Sequence, residues 1–345
     1  MITETLPTDN TPLLKIAVEA AVARLAAGDV VALPTETVYG LAADAHNEEA
    51  LAKIFTSKER PSFDPLIIHI AHHKDLPGVA TVPPEIEETF LQLITNFWPG
   101  PLTFILPKVA SLSDLATAGL PTVAVRRSAN PIFQKVIKTF GKPLAAPSAN
   151  RFGSISPTSA SAVLEELNGR IPLILDGGAC ACGIESTIIR IVPSGKTKPF
   201  IEILRHGAIT AESLKPFGKP VTVSQSSSSN DPQAAPGQLT SHYAPRTPLR
   251  ILNSPEEFTP EPGRRYALLS YRGDEEDGYM DLTDFVETGV LSPGNGKLTE
   301  ASVRFFHILR MLDHAGADEI ISEPIPERGL GMAMVDRLRR AAAKK

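Results

Sequence analysis

Apolar positions in the first 192 residues follow helical spacing in some segments and form short runs in others. Leu14, Val18 and Leu25 recur at helical spacing and predict a helix over 11–27 that ends near Gly28. A run of four apolar residues over 30–33 predicts a buried strand. The same patterns predict further helices over 47–58, 85–96, 130–140 and 159–168, and further strands over 66–70, 102–106, 123–126, 144–146, 173–176 and 186–192.

Strands and helices alternate irregularly in this region, so we expect a mixed, twisted α/β sheet rather than a doubly wound one. A serine-rich stretch, Ser224–Pro232, cannot bury apolar area and predicts a flexible linker. Later patterns predict a second, smaller α/β domain, with strands over 249–252, 266–270 and 319–322 and helices over 299–315 and 332–343. The predicted domains are 10–212, a linker over 213–245, and 246–345.

Composition narrows the class of protein. The chain has 345 residues, of which 42% are hydrophobic, which suits about two globular domains. A net charge of −5 argues against a protein held on nucleic acid by bulk charge. Neither a membrane-length apolar run nor a signal-peptide pattern occurs, and two cysteines are too few for a disulfide scaffold. We therefore expect a cytoplasmic protein.

Several familiar motifs are incomplete. Gly195–Thr197 resembles the end of a phosphate-binding P-loop, but the glycine required five positions earlier is absent. Cys180–Cys182 and the three histidines within 69–73 offer metal-ligand atoms without the partners that a metal site needs, so loop and strand positions are the favoured interpretation. The sequence contains neither a nucleotide-binding G-x-G-x-x-G after a strand nor a G-x-S-x-G elbow.

Five polar segments stand at predicted strand or helix ends: Pro34–Leu41, Lys58–Pro61, Val125–Arg127, Pro147–Asn150 and Gly183–Thr187. Each by itself has a simple explanation, such as a turn or a favourable charge near a helix C-terminus. Ligand clefts of open α/β sheets lie at strand ends, and glycines let a backbone approach a ligand closely. Together the segments favour one polar, partly basic pocket.

These segments resemble the YrdC/Sua5 family, the threonylcarbamoyl-AMP synthases. The matching motifs are P-T-E-T-V-Y-G-L (34–41), K-x-R-P (58–61), P-L-I-x-H (65–69), F-W-P-G-P-L-T (97–103), V-A-V-R (123–126), A-P-S-A-N (146–150) and G-x-E-S-T (183–187). His242–Pro245 and the extra α/β region resemble the longer, two-domain Sua5 branch. The resemblance implies a YrdC-like mixed sheet with a basic concave pocket, followed by a smaller Rossmann-like Sua5 domain.

The resemblance also implies a reaction, in which L-threonine, bicarbonate and ATP give L-threonylcarbamoyladenylate and pyrophosphate. The product would pass to a tRNA threonylcarbamoyltransferase complex that modifies adenosine 37 to t6A. A carbamate anion must attack the α-phosphorus of anionic ATP, so placed cations have to screen the repulsion. We expect Mg²⁺ to arrive on the ATP phosphates, without protein side-chain ligands.

Site residues follow from the resemblance, position by position. The predicted threonine-binding residues, called the threonine set below, are Thr37, His69, Arg126, Ala146 and Ser186. The predicted catalytic residues around the phosphates, called the phosphate set below, are Lys58, Arg60, Ser148 and Asn150. The predicted ATP-binding residues are Arg60, Asp64, Thr122, Ser148, Ser156, Arg205 and Tyr243.

Two features of the chain bear on these expectations. Asp64 stands where the family often has Asn, and an acid near phosphate is costly unless it faces magnesium or solvent. Tyr243 follows the predicted linker, which we expect to close over bound nucleotide as a lid.

Two alternatives remain at this stage. One is a domain related to the carbamoyltransferases that mature hydrogenases, although two cysteines cannot supply their zinc-finger-like segments. The other is an RNA-binding module, against which the net charge of −5 and the lack of a Lys/Arg stripe weigh. We expect weak or no direct tRNA binding and no membrane association.

Overall fold

The computed structural model describes residues 2–195, 197–223 and 242–343, which form two compact units. The first unit contains the described residues up to Phe152, then Pro157–Ala181, and those from Glu185 to 223. The second contains Gly153–Ser156, Cys182–Ile184 and the described residues from 242 onward.

The first unit is built from eleven strands and seven helices within the described residues. The strands are β1 (Glu4–Pro7), β2 (Val31–Leu33), β3 (Gly40–Asp44), β4 (Ile67–His69), β5 (Leu102–Pro107), β6 (Thr122–Arg126), β7 (Leu144–Ala145), β8 (Leu173–Asp176), β9 (Thr187–Val192), β10 (Phe200–Arg205) and β11 (Lys219–Thr222). The helices are α1 (Thr11–Ala26), α2 (Glu48–Lys58), α3 (Glu87–Phe97), α4 (Asp114–Thr117), α5 (Pro131–Phe140), α6 (Ala160–Leu167) and α7 (Ala211–Leu214). Two 3-10 helices, His73–Gly78 and Pro84–Ile86, complete it.

All eleven strands join one mixed sheet in the order β1-β8-β2-β3-β7-β4-β6-β5-β9-β10-β11. Parallel pairs such as β4–β6 alternate with antiparallel pairs such as β5–β6. The predicted mixed α/β architecture is therefore confirmed.

Asparagine side chains begin three of the helices. Asn10 accepts a hydrogen bond from Leu13 N (3.0 Å) at the start of α1, and Asn47 accepts one from Ala50 N (3.1 Å) at the start of α2. Asn130 does the same at the start of α5. These bonds satisfy backbone donors that the first helical turn leaves without partners.

The central strands of the sheet are buried on both faces. Val31 and Leu33 of β2 pack with residues of α1 and α5, whereas Ala32 between them packs into the larger cluster on the opposite face. Alternate residues of a strand point to opposite faces, so a strand that is covered on both sides consists almost entirely of apolar residues. This explains why short apolar runs located these strands.

Five strands lie outside the predicted set: β1, β3, β10, β11 and one in the second unit. β3 consists of Gly, Leu, two Ala and Asp, which are poor strand formers, and its neighbours β2 and β7 hold it in the sheet. Tertiary pairing rather than local propensity forms this strand. It matters for function because it fixes one end of the loop over 34–39.

The second unit has an all-parallel four-stranded sheet in the order β12-β15-β13-β14. Its elements are β12 (Leu249–Ile251), β13 (Tyr266–Ser270), β14 (Glu287–Val290), β15 (Glu319–Ser322), α8 (Leu298–Asp313), α9 (Gly331–Ala342) and the 3-10 helix Pro255–Glu257. Parallel strands with intervening helices confirm the predicted Rossmann-like class. Within this unit Arg310 donates a hydrogen bond to Ile155 O (2.8 Å), which ties the segment Gly153–Ser156 to α8.

The predicted linker over 213–245 lies partly outside the described residues. β11 pairs in parallel with β10, so regular structure continues to Thr222. Residues 224–241, on which the lid prediction depends, are not among the described residues, and the domain boundaries stay a prediction. Over the described ranges, every helix is too short or too polar to span a lipid bilayer.

Candidate active site

The loop between β2 and β3 presents the first residue of the threonine set. The Thr35 hydroxyl accepts a hydrogen bond from Thr37 N (3.0 Å) and donates one to Val38 O (2.6 Å). Such a hydroxyl-stabilised turn is a recognised use of threonine in loops. It holds the buried Thr37 hydroxyl 3.0 Å from Arg126 Nη1, which donates to it.

Three adjacent strands carry polar side chains at the same level of the sheet. His69 of β4 is in register with Arg126 of β6, and Arg126 is in register with Thr103 of β5. Residues paired across neighbouring strands project from the same face. The Thr103 hydroxyl lies 2.8 Å from the Ser186 hydroxyl, so Ser186 joins the same cluster.

His69 is neutral in this environment. Burial and the positive charge of Arg126 lower its pKa from 6.5 to about 3. Its ring packs on Phe133 with 4.7 Å between ring centroids, and Nδ1 is buried without a hydrogen-bond partner among the described residues. A buried polar atom in this state calls for a partner that a ligand would supply.

Ala146 belongs to the same neighbourhood through the backbone. Ala146 N donates to Ile67 O (2.9 Å), next to His69 on β4. Two residues further along the chain, Ser148 forms an isolated β-bridge with Gly40 at the start of β3. The segment after β7 therefore links the threonine set to the phosphate set.

The phosphate set begins at the C-terminus of α2. Glu59 ends the helix in the left-handed conformation, with φ of 54°, and Lys58 and Arg60 flank this turn. The Lys58 ammonium is buried and donates hydrogen bonds to Ser148 O (2.6 Å) and Asn150 O (2.5 Å). Burial and the neighbouring Arg60 charge hold the pKa of Lys58 well below its usual value. Lys58 thus fixes the loop that contains Ser148 and Asn150.

Arg60 forms a buried ion pair with Asp64. Arg60 Nη2 lies 2.9 Å from Asp64 Oδ2, and the guanidinium also donates to Asp64 O (3.1 Å) and Pro65 O (2.8 Å). Burial raises the pKa of Asp64, while Arg60, Lys58 and Arg205 act in the opposite direction. Asp64 therefore lies among cationic side chains, whereas the sequence predicted magnesium or solvent beside it.

Arg205 connects the two sets. It donates to Ser186 O (3.0 Å) and to Ser186 Oγ (3.1 Å) through Nη2, and its charge acts on Asp64. The Arg205 side chain therefore contacts the threonine set and acts through its charge on the acid beside the phosphate set. Both sets therefore belong to one site in the first unit.

Thr122 is farther from the threonine set. It opens β6, whereas Arg126 closes that strand, and the four-residue separation spans about 13 Å of extended chain. Thr122 lies two positions before Ala124, which pairs with Ile67, so it faces the beginning of β4. That is the side on which Arg60 bonds to Pro65 O.

The remaining two ATP positions, Ser156 and Tyr243, belong to the second unit. Tyr243 is buried there in the left-handed conformation, with φ of 61°, and its ring stacks on Phe306 with 5.7 Å between centroids. The Arg337 guanidinium lies 5.5 Å from the same ring. The nucleotide contacts of Ser156 and Tyr243 stay predictions.

Two residues of the cluster were not predicted. Glu36 Oε1 lies 2.6 Å from Arg126 Nη2, and the Thr103 hydroxyl is hydrogen-bonded to the Ser186 hydroxyl. Both occur inside quoted motifs, P-T-E-T-V-Y-G-L and F-W-P-G-P-L-T, so the signal was present. The ion pair with Arg126 shows that Glu36 reaches the threonine set, and the register of β5 with β6 shows the same for Thr103.

The donor set does not form a cage for a divalent metal. Among the described residues there is no group of three His, Cys, Asp or Glu side chains that could hold one. Asp64 is the acid beside the phosphate set, and Arg60 already neutralises it. That Mg²⁺ is carried by the substrate phosphates stays a prediction.

Comparison with known proteins identifies the family. The family model Sua5_yciO_yrdC, described as "Telomere recombination", matches residues 23–207, and the model "Threonylcarbamoyl-AMP synthase, C-terminal domain" matches residues 209–343. The threonylcarbamoyl-AMP synthase of Bacillus subtilis is 39% identical over 93% of this chain and 92% of its own length. That of Schizosaccharomyces pombe is 36% identical over 91% and 85%.

A solved structure matches as well. Pyrococcus abyssi Sua5 complexed with L-threonine superposes with a TM-score of 0.83 at 34% identity, covering 99% of this chain and 98% of its own. The chain therefore belongs to the Sua5/YrdC family and has the two-domain form of the threonylcarbamoyl-AMP synthases.

Proposed function

We propose that this chain makes L-threonylcarbamoyladenylate and pyrophosphate from L-threonine, bicarbonate and ATP. The observation that carries the proposal is the junction at Arg205, which contacts Ser186 of the threonine set and acts on Asp64 beside Arg60. The reaction requires an amino-acid carbamate and the α-phosphate of ATP to meet at bonding distance. Adjacent subsites on one rigid sheet provide that proximity.

The charges of the phosphate set suit the attack of one anion on another. Arg60 and Arg205 bring positive charge into a largely buried site, where electrostatic interactions are stronger than in water. Lys58 orients the backbone of Ser148 and Asn150 through its two carbonyl contacts. In this scheme Mg²⁺ enters with ATP, and its charge neutralises the phosphate oxygens further.

The proposal extends to partners. The product is a mixed anhydride that water destroys, so it has to pass to an acceptor enzyme, which we take to be the tRNA threonylcarbamoyltransferase complex. A net charge of −5 disfavours tight binding to anionic tRNA, so we propose no tight tRNA contact for the chain itself. We assign the reaction to the cytoplasm, where ATP and tRNA are present.

The test is pyrophosphate release. Purified protein is incubated with ATP, Mg²⁺ and bicarbonate, and each amino acid is added singly. We expect release only when both L-threonine and bicarbonate are present. Arg126→Gln should abolish the pyrophosphate release that threonine brings about. Arg24→Gln, which changes a half-exposed arginine, should leave that release intact. Release that continues without threonine or without bicarbonate would refute the proposal.

A further inference from the structure

Four buried polar atoms within the threonine site lack hydrogen-bond partners among the described residues. They are Glu36 Oε1, His69 Nδ1, Arg126 Nε and Arg126 Nη2. Glu36 Oε1 and Arg126 Nη2 lie 2.6 Å apart and satisfy each other as an ion pair, so His69 Nδ1 and Arg126 Nε are the atoms left for a ligand. Buried groups in this state are costly unless a ligand completes them.

The unsatisfied atoms require different partners. Arg126 Nε is a donor and needs an acceptor, such as a ligand carboxylate. An ionised Glu36 is only an acceptor, and beside Arg126 and the Ser128 hydroxyl its two oxygens have lone pairs left for a further donor. Burial raises the pKa of Glu36, but Arg126 and the Ser128 hydroxyl outweigh burial and hold that pKa below its usual value. Glu36 is therefore ionised at neutral pH.

Around Thr37 and His69 the charges balance. Arg126 contributes one positive charge, Glu36 contributes one negative charge, and His69 is neutral. A site for a simple anion would gain nothing from a buried carboxylate beside its arginine, because like charge opposes the ligand. A free α-amino acid, by contrast, carries one carboxylate and one ammonium group. The pair of separated charges matches this zwitterion.

We propose that Glu36 receives the α-ammonium group of the substrate, so that the site selects the free zwitterionic amino acid over amine-free analogues. This inference rests on the proposed function and names a specificity residue for it. Arg126 then faces the substrate carboxylate, and Ser128 holds Glu36 in place through a hydrogen bond.

The test is a binding cycle without ATP or bicarbonate. Calorimetry compares L-threonine with (2S,3R)-2,3-dihydroxybutanoate, in which a hydroxyl replaces the amine, on the wild type and on Glu36→Gln. We expect the wild type to prefer threonine by about tenfold or more, as for a hydrogen bond to a charged group. Glu36→Gln should lose that preference, because threonine weakens and the analogue does not. Glu166→Gln removes a different buried carboxylate, paired with Arg151 at 3.2 Å, and should keep the preference.

Other outcomes overturn the inference. If Glu36 only orients Arg126, the variant weakens both ligands equally. If the wild type binds both ligands equally, the site has no receptor for the ammonium group. This comparison uses only the wild type, so misfolding of a variant does not affect it. The cycle does not use turnover, so its result is separate from that of the pyrophosphate assay. Threonine-independent pyrophosphate release refutes the function, whereas an unchanged ligand preference in Glu36→Gln refutes the role of Glu36.

Discussion

Replacing Asp64 by Asn should make ATP bind more tightly. In the wild type, Asp64 Oδ2 lies 2.9 Å from Arg60 Nη2, at the residue that we expect to contact phosphate. An incoming phosphate must share Arg60 with this carboxylate and is repelled by it. The substitution keeps the size of the side chain and removes its negative charge.

The magnitude follows from the geometry. A phosphate on the far side of the Arg60 guanidinium would put the two negative charges about 6 Å apart, and at an effective dielectric constant of about 20 they repel by about 3 kcal/mol. Counter-ions and the neighbouring cations reduce this, so we expect a net gain of about 1.4 kcal/mol, or about tenfold in affinity. The protein itself should lose about 3 kcal/mol of unfolding free energy, because breaking a buried ion pair leaves Arg60 uncompensated.

The assay is calorimetric titration with a non-hydrolysable ATP analogue, with and without Mg²⁺, together with denaturant unfolding. Asp44→Asn is the matched control, since Asp44 is also buried and pairs with Lys142 at 2.8 Å, outside the predicted site. It should lower stability without changing nucleotide affinity. The difference in nucleotide affinity between wild type and Asp64→Asn should shrink as pH falls. Burial raises the pKa of Asp64, so the carboxylate becomes protonated and loses its charge.

Equal or weaker nucleotide binding by Asp64→Asn would refute this reasoning. Weakening confined to the titration with Mg²⁺ would mean that Asp64 is a metal ligand rather than a competitor for Arg60. The unfolding data decide whether a loss of affinity merely reflects a loss of folded protein.

Further predictions concern the same site and the second unit. Arg60→Ala should lower pyrophosphate release per folded molecule about a hundredfold, as expected for ~3 kcal/mol of lost transition-state stabilisation, and an unchanged rate would remove Arg60 from the site. Serine should be a poor but detectable substrate and valine much worse, because a missing methyl costs ~1–3 kcal/mol whereas an unpaired buried hydroxyl partner costs more; equal competition by both would contradict this. His69 resists protonation when folded, so between pH 6.5 and about 3 it should remove about 1.4 kcal/mol of unfolding free energy per pH unit as pH falls; His69→Gln should unfold with a shallower pH dependence, and identical profiles would argue against a neutral buried imidazole. Tyr243→Ala should release the adenylate product sooner than the wild type in a rapid-filtration assay, and full retention would count against a lid.

Much of the first unit could be predicted because the central strands of its sheet are covered on both faces. Strands such as β8 are short apolar runs, and the Asp176 that ends β8 marks a boundary that sequence alone located. Strand β3 could not be predicted in this way, since Gly40, Leu41 and the alanines after it lack the β-branched and aromatic residues typical of strands. Its place depends on backbone pairing with β2 and β7, which local propensity does not encode.

The candidate site shows a similar division. Motifs identified Thr37, Arg126 and Ser186 as chemistry-bearing residues, but spacing along the chain gave no distances between them. The register of β4, β5 and β6 supplies those distances and adds Thr103. Thr37 already accounts for the motif that contains Glu36, so the motif does not single out the carboxylate. The role of Glu36 follows only from its ion pair with Arg126.

Lys58 shows why the role of a residue needs the structure as well as the motif. A lysine in a phosphate-binding motif suggests an ammonium that points at phosphate. Here the ammonium is buried and donates to Ser148 O and Asn150 O, so much of its hydrogen-bonding capacity is used within the protein. An ammonium has three donors, which leaves one for a substrate oxygen. In the proposed function, Lys58 would therefore link the loop that carries Ser148 and Asn150 to a bound phosphate, and its charge would act at the position that its two carbonyl acceptors define.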